Sequence, residues 1–263
     1  MKLDLQVLLA QVESICKKAG EKMTIDRANG FSVSTKTLNN LVTEVDKNVE
    51  LFLVHELGEI LPGSGFIAEE GTGEKNDDFF NWIIDPLDGT TNFIHNIPAY
   101  CVSVALHHHN LGLVIGVVYD PLRKETFSAF KNGGCYLNGH KIEQVPTLTL
   151  TDSLLATGFP YDDFEREDGY FKALKELTHS TRGLRRLGSA ALDLAYVSVG
   201  RFGAFFEYGL NPWDVAAGIL LVQESGGVCT DFSGKDNMLF NEEIVASHKD
   251  IHPSILSTVQ ANF

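Results

Sequence analysis

The chain is poor in cysteine, in positive charge and in long apolar runs, and each shortage closes off a class of protein. Cys16, Cys101, Cys135 and Cys229 are scattered without a CxxC pair, so neither a disulfide frame nor a zinc cluster is expected, and buried thiols in a reducing compartment are. Lys and Arg number 21 against 35 Asp and Glu, a formal net charge of −14. That balance argues against a broad electrostatic grip on nucleic acid or anionic lipid, and no direct nucleic-acid binding is expected. It does not exclude an anionic substrate, because bound divalent ions reverse a local field. No apolar run approaches the roughly 20 residues that span a bilayer. The N-terminus lacks a basic stretch followed by an apolar core, so no signal peptide is expected and a cytoplasmic location is.

What remains is the balance of a soluble globular protein, 44% hydrophobic and 21% charged over 263 residues, enough for one large domain or two coupled subdomains. Leu5, Leu8, Leu9, Val12, Ile15, Cys16 and Ala19 follow helical spacing, and a second helix is expected from Asp46 or Lys47 to about Leu57, with Asp46 as its N-cap. Phe66 to Ala68 reads as a strand ending at Glu69 and Glu70. Tyr100 to Leu106 and Leu111 to Tyr119 alternate like strands, and Asn132-Gly133-Gly134 marks a hairpin. Helix and strand signals then alternate to the end of the chain. The stretch from His140 to Thr151 offers a soft joint around Pro146. It divides an N-terminal α+β subdomain, 1–145, from a C-terminal α/β subdomain, 146–263, and the mixture implies layered α/β sheets.

The densest chemistry lies in Trp82-Ile83-Ile84-Asp85-Pro86-Leu87-Asp88-Gly89-Thr90-Thr91-Asn92-Phe93. An apolar strand delivers Asp85 to its end, Pro86 is expected to stop the strand, and a tight loop turns Asp88 back toward the same point. Gly89 permits close backbone approach, and the amides after it suit an anion. Hard carboxylates beside an anion cradle are what Mg²⁺-dependent phosphoryl chemistry needs. Glu69 after a strand and Asp214 at the start of a helix, behind Asn211 and Pro212, add acids at element ends. Each has a plain alternative: a solvated strand end for Glu69 and Glu70, a turn for Asp88-Gly89, a favourable helix dipole for Asp214. Together, with few cations nearby in sequence, they favour divalent ions. A calcium loop fits less well, since the DxDxDG spacing with its distal Glu is absent.

At this point the chain resembles the inositol monophosphatase family along nearly its whole length. The Trp82-to-Phe93 segment matches the family's first signature, and Trp213-Asp214-Val215-Ala216-Ala217-Gly218 followed by Glu224-Ser225-Gly226-Gly227 matches its second. Leu41 to Asp46, Ala68-Glu69-Glu70 and Gly188-Ser189-Ala190-Ala191 match further blocks, in order. The resemblance implies an αβαβα sandwich of two coupled subdomains with the site at their joint, two or three Mg²⁺ ions, sensitivity to lithium and a homodimer. Residue by residue, it assigns Glu69, Asp85 and the carbonyl of Leu87 to a first ion, and Asp85, Asp88 and Asp214 to a second. A weaker third ion leans on Glu69. The amides of Gly89 and Thr90 hold phosphate, while Asp46 and Thr90 hydrogen-bond and, with Glu69, serve the attacking water. Glu207 contacts substrate hydroxyls, with Gly188, Ser189 and Ala190 lining the same side. The activity implied is hydrolysis of a small phosphorylated polyol, myo-inositol 1-phosphate foremost. Fructose 1,6-bisphosphate, histidinol phosphate, NADP and 3′-phosphoadenosine nucleotides are the alternatives. A regulatory role is a further one, since some bacterial members also bind transcription machinery.

Other features read as structural. His107-His108-His109 is expected in an exposed turn, Arg185-Arg186 in a charged strand or subunit contact, and Trp82 and Trp213 as packing residues. The acids Asp152, Asp162, Asp163, Glu165, Glu167 and Asp168 read as a solvated loop and helix start.

Overall fold

A computed structural model describes residues 3–37, 40–76, 79–143, 149–159 and 165–263. Its layers follow the apolar pattern. Helix α1 (Leu5–Asn29) buries Leu8, Leu9, Val12, Ile15, Cys16, Ala19 and Met23 along one side. A short antiparallel pair, β1 (Val33–Thr37) and β2 (Asn40–Thr43), leads into α2 (Glu44–Ile60). Both helices pack on one face of a seven-stranded sheet whose order is its chain order: β3 (Gly65–Ala68), β4 (Phe80–Asp88), β5 (Cys101–His108), β6 (Gly112–Asp120), β7 (Glu125–Phe130), β8 (Gly134–Leu137) and β9 (His140–Lys141). Only β3 and β4 pair in parallel; the other neighbours are antiparallel hairpins. A short helix, α3 (Thr90–Ile94), follows β4 directly.

The second half builds a five-stranded sheet in the order β11 (Gly183–Arg185), β10 (Leu154–Thr157), β12 (Ala204–Tyr208), β14 (Glu243–Ser247), β13 (Val228–Thr230). Helices α4 (Glu167–Ser180) and α7 (His252–Asn262) cover its outer face. Helices α5 (Ala190–Ser198) and α6 (Pro212–Glu224) lie between the two sheets, and their apolar residues join both inner faces into one core. These buried helices are apolar nearly all round, as a helix sandwiched between sheets must be. The architecture is the expected αβαβα sandwich. Pro146, where the sequence suggests a joint, lies outside the described residues, as do Asp162 and Asp163. Among the described residues no helix is long and apolar enough to cross a membrane.

Four expectations are corrected. Pro86 does not stop its strand: β4 runs through it to Asp88, with a register shift between Asp85 and Asp88. Proline lacks the N–H a regular ladder would need, and a bulge is where a strand accepts it. Asp46 is not the N-cap of α2; Thr43 is, and Asp46 at the third helical position completes a capping box with it. The tight loop expected between Asp85 and Asp88 is instead a bulge within β4, and α3 begins directly after Gly89. Finally, His107 and His108 belong to β5 and only His109 reaches the turn. The His108 ring packs 4.6 Å from that of Phe80, and its Nδ1 accepts the amides of Asn110 and Leu111.

Candidate active site

The bulge in β4 sets the geometry of the site. Residues three apart on a regular strand face opposite sides of the sheet. Here Asp85 pairs with Ser103 and Asp88 with Cys101. One extra residue on β4 therefore turns both carboxylates to the same face, the one toward α5 and α6. Asp85 Oδ1 accepts the Leu87 amide at 2.9 Å, which fixes the bulge. Pairing of Ala68 with Ile84 continues one step further through the Glu69 amide to the Ile84 carbonyl, 3.2 Å, and brings Glu69 alongside Asp85.

Asp214 arrives from the other half. Asn211 caps α6, Pro212 opens it, and Asp214 Oδ2 accepts the Asn211 amide at 2.6 Å. The Ser103 hydroxyl, on the strand beside Asp85, reaches the Trp213 carbonyl at 3.4 Å and ties that helix start to the first sheet. Asp88 points at the start of α5, where its Oδ2 accepts the Ser189 hydroxyl and the Ala191 amide, both at 2.7 Å. Helix N-termini favour such an acid.

Glu69, Asp85, Leu87, Asp88 and Asp214 thus line one cleft, together with Gly89, Thr90, Gly188, Ser189, Ala190 and Glu207. The electrostatics record the crowding. Burial pushes the Asp85 carboxyl well above the usual carboxylate range, and Glu69, Asp88 and Asp214 push it in the same direction. Burial likewise raises Asp88 to about 6, and burial with the Asp88 charge raises Asp214 to about 7. As placed, no three His, Cys, Asp or Glu side chains among the described residues enclose a common point. Asp85, Asp88 and Asp214 are each braced by a protein donor through one named oxygen. The set nevertheless fits a hard divalent cation: its donors are oxygens, they come from separate rigid elements, and a cation would relieve the mutual repulsion.

The opposite wall is the start of α3. Gly89 has φ 94°, and a Cβ there would lie 2.8 Å from the Ala99 carbonyl, so only glycine fits comfortably. The Thr90 hydroxyl lies 2.9 Å from Asp46 Oδ1 and 3.0 Å from the Leu87 carbonyl. Asp46 is fully buried; its second oxygen holds the Thr43 amide at 2.8 Å, and burial raises its carboxyl above the ordinary value. At the far end Glu207, on β12, is 8% exposed and stands over Gly158. A Cβ at Gly158 would fall 2.1 Å from both Glu207 carboxylate oxygens, so that glycine makes room for the acid. Burial raises Glu207 strongly, with a further push from Asp214.

Several residues at the site were not singled out from the sequence. Glu50, one turn beyond Asp46 on α2, is fully buried and accepts the Glu70 amide at 2.8 Å and the Thr72 amide at 2.9 Å. It fixes the turn that carries Glu69, and its spacing from Asp46 was the available signal. Asn92 donates to the Ala99 carbonyl at 2.7 Å and the Leu187 carbonyl at 2.8 Å, which pins α3 to the segment before Gly188. Arg186, expected in a charged strand or subunit contact, instead lies just past β11 and lines the cleft, its guanidinium 5.7 Å from the Phe159 ring. Trp82 is buried, with its indole N–H on Ser64, as a packing residue should be. Trp213 also borders the cleft.

Comparison with known proteins gives a consistent picture. The sequence model described as "Inositol monophosphatase family" matches residues 4–262. The Nus factor SuhB of Pseudomonas aeruginosa is 42% identical, over 93% of this chain and 92% of that protein. An inositol-1-monophosphatase of Mesorhizobium japonicum is 37% identical, over 96% of each. The crystal structure of the extragenic suppressor protein suhB from Bartonella henselae superposes with a TM-score of 0.92 at 33% identity, over 98% of this chain and all of that one.

Proposed function

This chain belongs to the inositol monophosphatase family, and from that premise we propose that it is a Mg²⁺-dependent phosphatase that hydrolyses a polyol phosphate monoester, myo-inositol 1-phosphate foremost. The observation that carries the reading is the crowding of Glu69, Asp85, Asp88 and Asp214 in one cleft between an α3 N-terminus and Glu207. In this reading Glu69, Asp85 and the Leu87 carbonyl hold one ion, Asp85, Asp88 and Asp214 a second, and Glu69 contributes to a weaker third. When bound, the ions neutralise phosphate charge, acidify a water and stabilise the leaving alkoxide.

The chain's own groups do the rest. Amides of Gly89 and Thr90 bind the phosphate oxygens. Asp46 fixes the Thr90 hydroxyl, the two help orient the attacking water, and the Glu69 carboxylate accepts its proton. Glu207 accepts hydrogen bonds from ring hydroxyls, while Gly188, Ser189 and Ala190 shape the wall beside it. No protein nucleophile is required, because phosphoryl transfer needs positioning and charge stabilisation more than covalent help.

A second, added role in protein binding is favoured by the name of the Pseudomonas aeruginosa relative, Nus factor SuhB. The complete carboxylate set supports hydrolysis alongside any such role. By resemblance to the family we also expect a homodimer, which sedimentation would test.

The direct experiment is phosphate release with Mg²⁺, with and without Li⁺, from inositol 1-phosphate, fructose 1,6-bisphosphate, histidinol phosphate, NADP and 3′-phosphoadenosine 5′-phosphate. Preference for inositol 1-phosphate, suppressed by Li⁺, is the expected result. Preference for another ester would keep the mechanism and replace the substrate. No turnover by folded, ion-loaded protein would overturn the proposal.

A further inference from the structure

Beyond the acids, the cleft continues into the second half of the chain, where one carboxylate has no role so far. Asp193 sits on the first turn of α5, is 1% exposed and lines the cleft with Glu207, Arg186, Thr157 and Gly158. Its Oδ1 is buried with no hydrogen-bond partner among the described residues. Buried carboxyl oxygens are normally paired, because leaving one desolvated and unbonded is costly.

The surroundings sharpen the anomaly. Two donors at the start of α5 are already committed, since Asp88 takes the Ser189 hydroxyl and the Ala191 amide. The helix dipole favours an acid in the first turn but supplies Oδ1 with no donor. Burial, Glu207 and Asp88 all push the Asp193 carboxyl well above the usual range, and Arg186 alone among its charged neighbours acts the other way. A residue kept for packing alone would serve better as Leu.

We infer that Asp193 is a specificity-determining residue that binds a second hydroxyl of the substrate polyol, beside the one taken by Glu207. This rests on the phosphatase reading and narrows its substrate class to monoesters of polyols with at least two free hydroxyls beyond the phosphate. A carboxyl group suits a diol in either protonation state: ionised it accepts, and protonated it both donates and accepts. An ester without such hydroxyls leaves Oδ1 unpaired on binding, and sites built around a missing donor discriminate strongly against such ligands.

The test is steady-state kinetics of the wild-type protein, Asp193→Asn and Asp193→Ala, with Mg²⁺, on inositol 1-phosphate and 4-nitrophenyl phosphate, alongside thermal melts. In the Ala variant the ratio of kcat/KM for the polyol ester to that for the aryl ester should fall about tenfold or more, chiefly through KM. The Asn variant, which keeps one acceptor and the shape, should lie between, and should melt no lower than wild type. A ratio unchanged in both variants overturns the inference. So does an equal loss on both esters with a lower melting temperature, which would mark a structural residue. Wild-type protein that cleaves the aryl ester without favouring the polyol keeps the phosphatase reading and removes this inference alone. Wild-type protein that cleaves neither removes both.

Discussion

Two parts of the protein treat a buried acid in opposite ways. Glu50, behind the turn that carries Glu69, has both carboxylate oxygens occupied by backbone amides, those of Glu70 and Thr72. Asp193, in the second-half wall of the cleft, is as deeply buried and has an oxygen with no donor among the described residues. The first acid completes the frame that carries Glu69; its partners are all internal. The second is held where a partner is missing. An acid of the first kind stabilises the fold, whereas one of the second kind costs stability and makes sense only with a ligand. Asp85, Asp88 and Asp214 fall between these poles: each is braced through one oxygen and crowded by the others.

The largest expected effect comes from removing the centre of the crowded set. Asp85→Asn should lower phosphate release by about 10³-fold or more, the scale of several kcal/mol of transition-state stabilisation. Without divalent ions it should melt at or above the wild-type temperature, because relief of repulsion offsets the lost hydrogen bond. Calorimetric melting in chelator with parallel activity assays would show it, and loss of folding would contradict it.

On the framing side, Glu50→Ala should cost roughly 2–3 kcal/mol, because two buried amides lose a charged acceptor. Chemical denaturation would measure that loss. A Mg²⁺ titration should show weaker binding as the turn bearing Glu69 loosens. If Glu50→Ala instead stabilised the protein, the contrast with Asp193 would collapse.

The same crowding predicts a pH dependence for metal-free protein. The carboxyl groups of Asp88 and Asp214 are raised to about 6 and about 7 in the fold, against about 3.9 for an unfolded Asp. A group raised on folding favours the folded state below its unfolded pKa, and that favour disappears as pH rises through the folded value. Stability in chelator, and with it the melting temperature, should therefore fall between about pH 4 and pH 7. Mg²⁺ should flatten the slope, since it binds the ionised form. A flat profile in chelator would mean that the acids are not mutually strained.

How much of this was legible in the sequence depends on the reach of each interaction. The layers, the two signature segments and the acids at element ends follow from local pattern, and Asn211-Pro212 announced the start of α6 correctly. The bulge did not show: Pro86 read as a terminator because its pairing with β5 is not a local property. Thr43 was displaced as N-cap by Asp46 because both residue types suit that position, and only the fold decides. Glu50 and Asp193 escaped notice because an acid's partners, or their absence, lie across the chain. Glu50 meets residues 20 and 22 positions away.

The smallest effect expected here concerns that cap. Thr43→Ala removes the hydroxyl that accepts the Val45 and Asp46 amides and should cost about 1 kcal/mol. It should also free Asp46 to shift against Thr90, so a fall in kcat beyond the loss of stability would show that the frame reaches the reaction.

The central claim, that these carboxylates are gathered to hold divalent ions for ester hydrolysis, is met most directly by one titration. Chelator-stripped protein would be given inositol 1-phosphate and increasing Mg²⁺, and phosphate release recorded. The account predicts none without the ion, a saturable rise with it, and no rise in Asp85→Asn. Turnover that persists in chelator, or a wild-type protein that binds Mg²⁺ and stays inert, would contradict it.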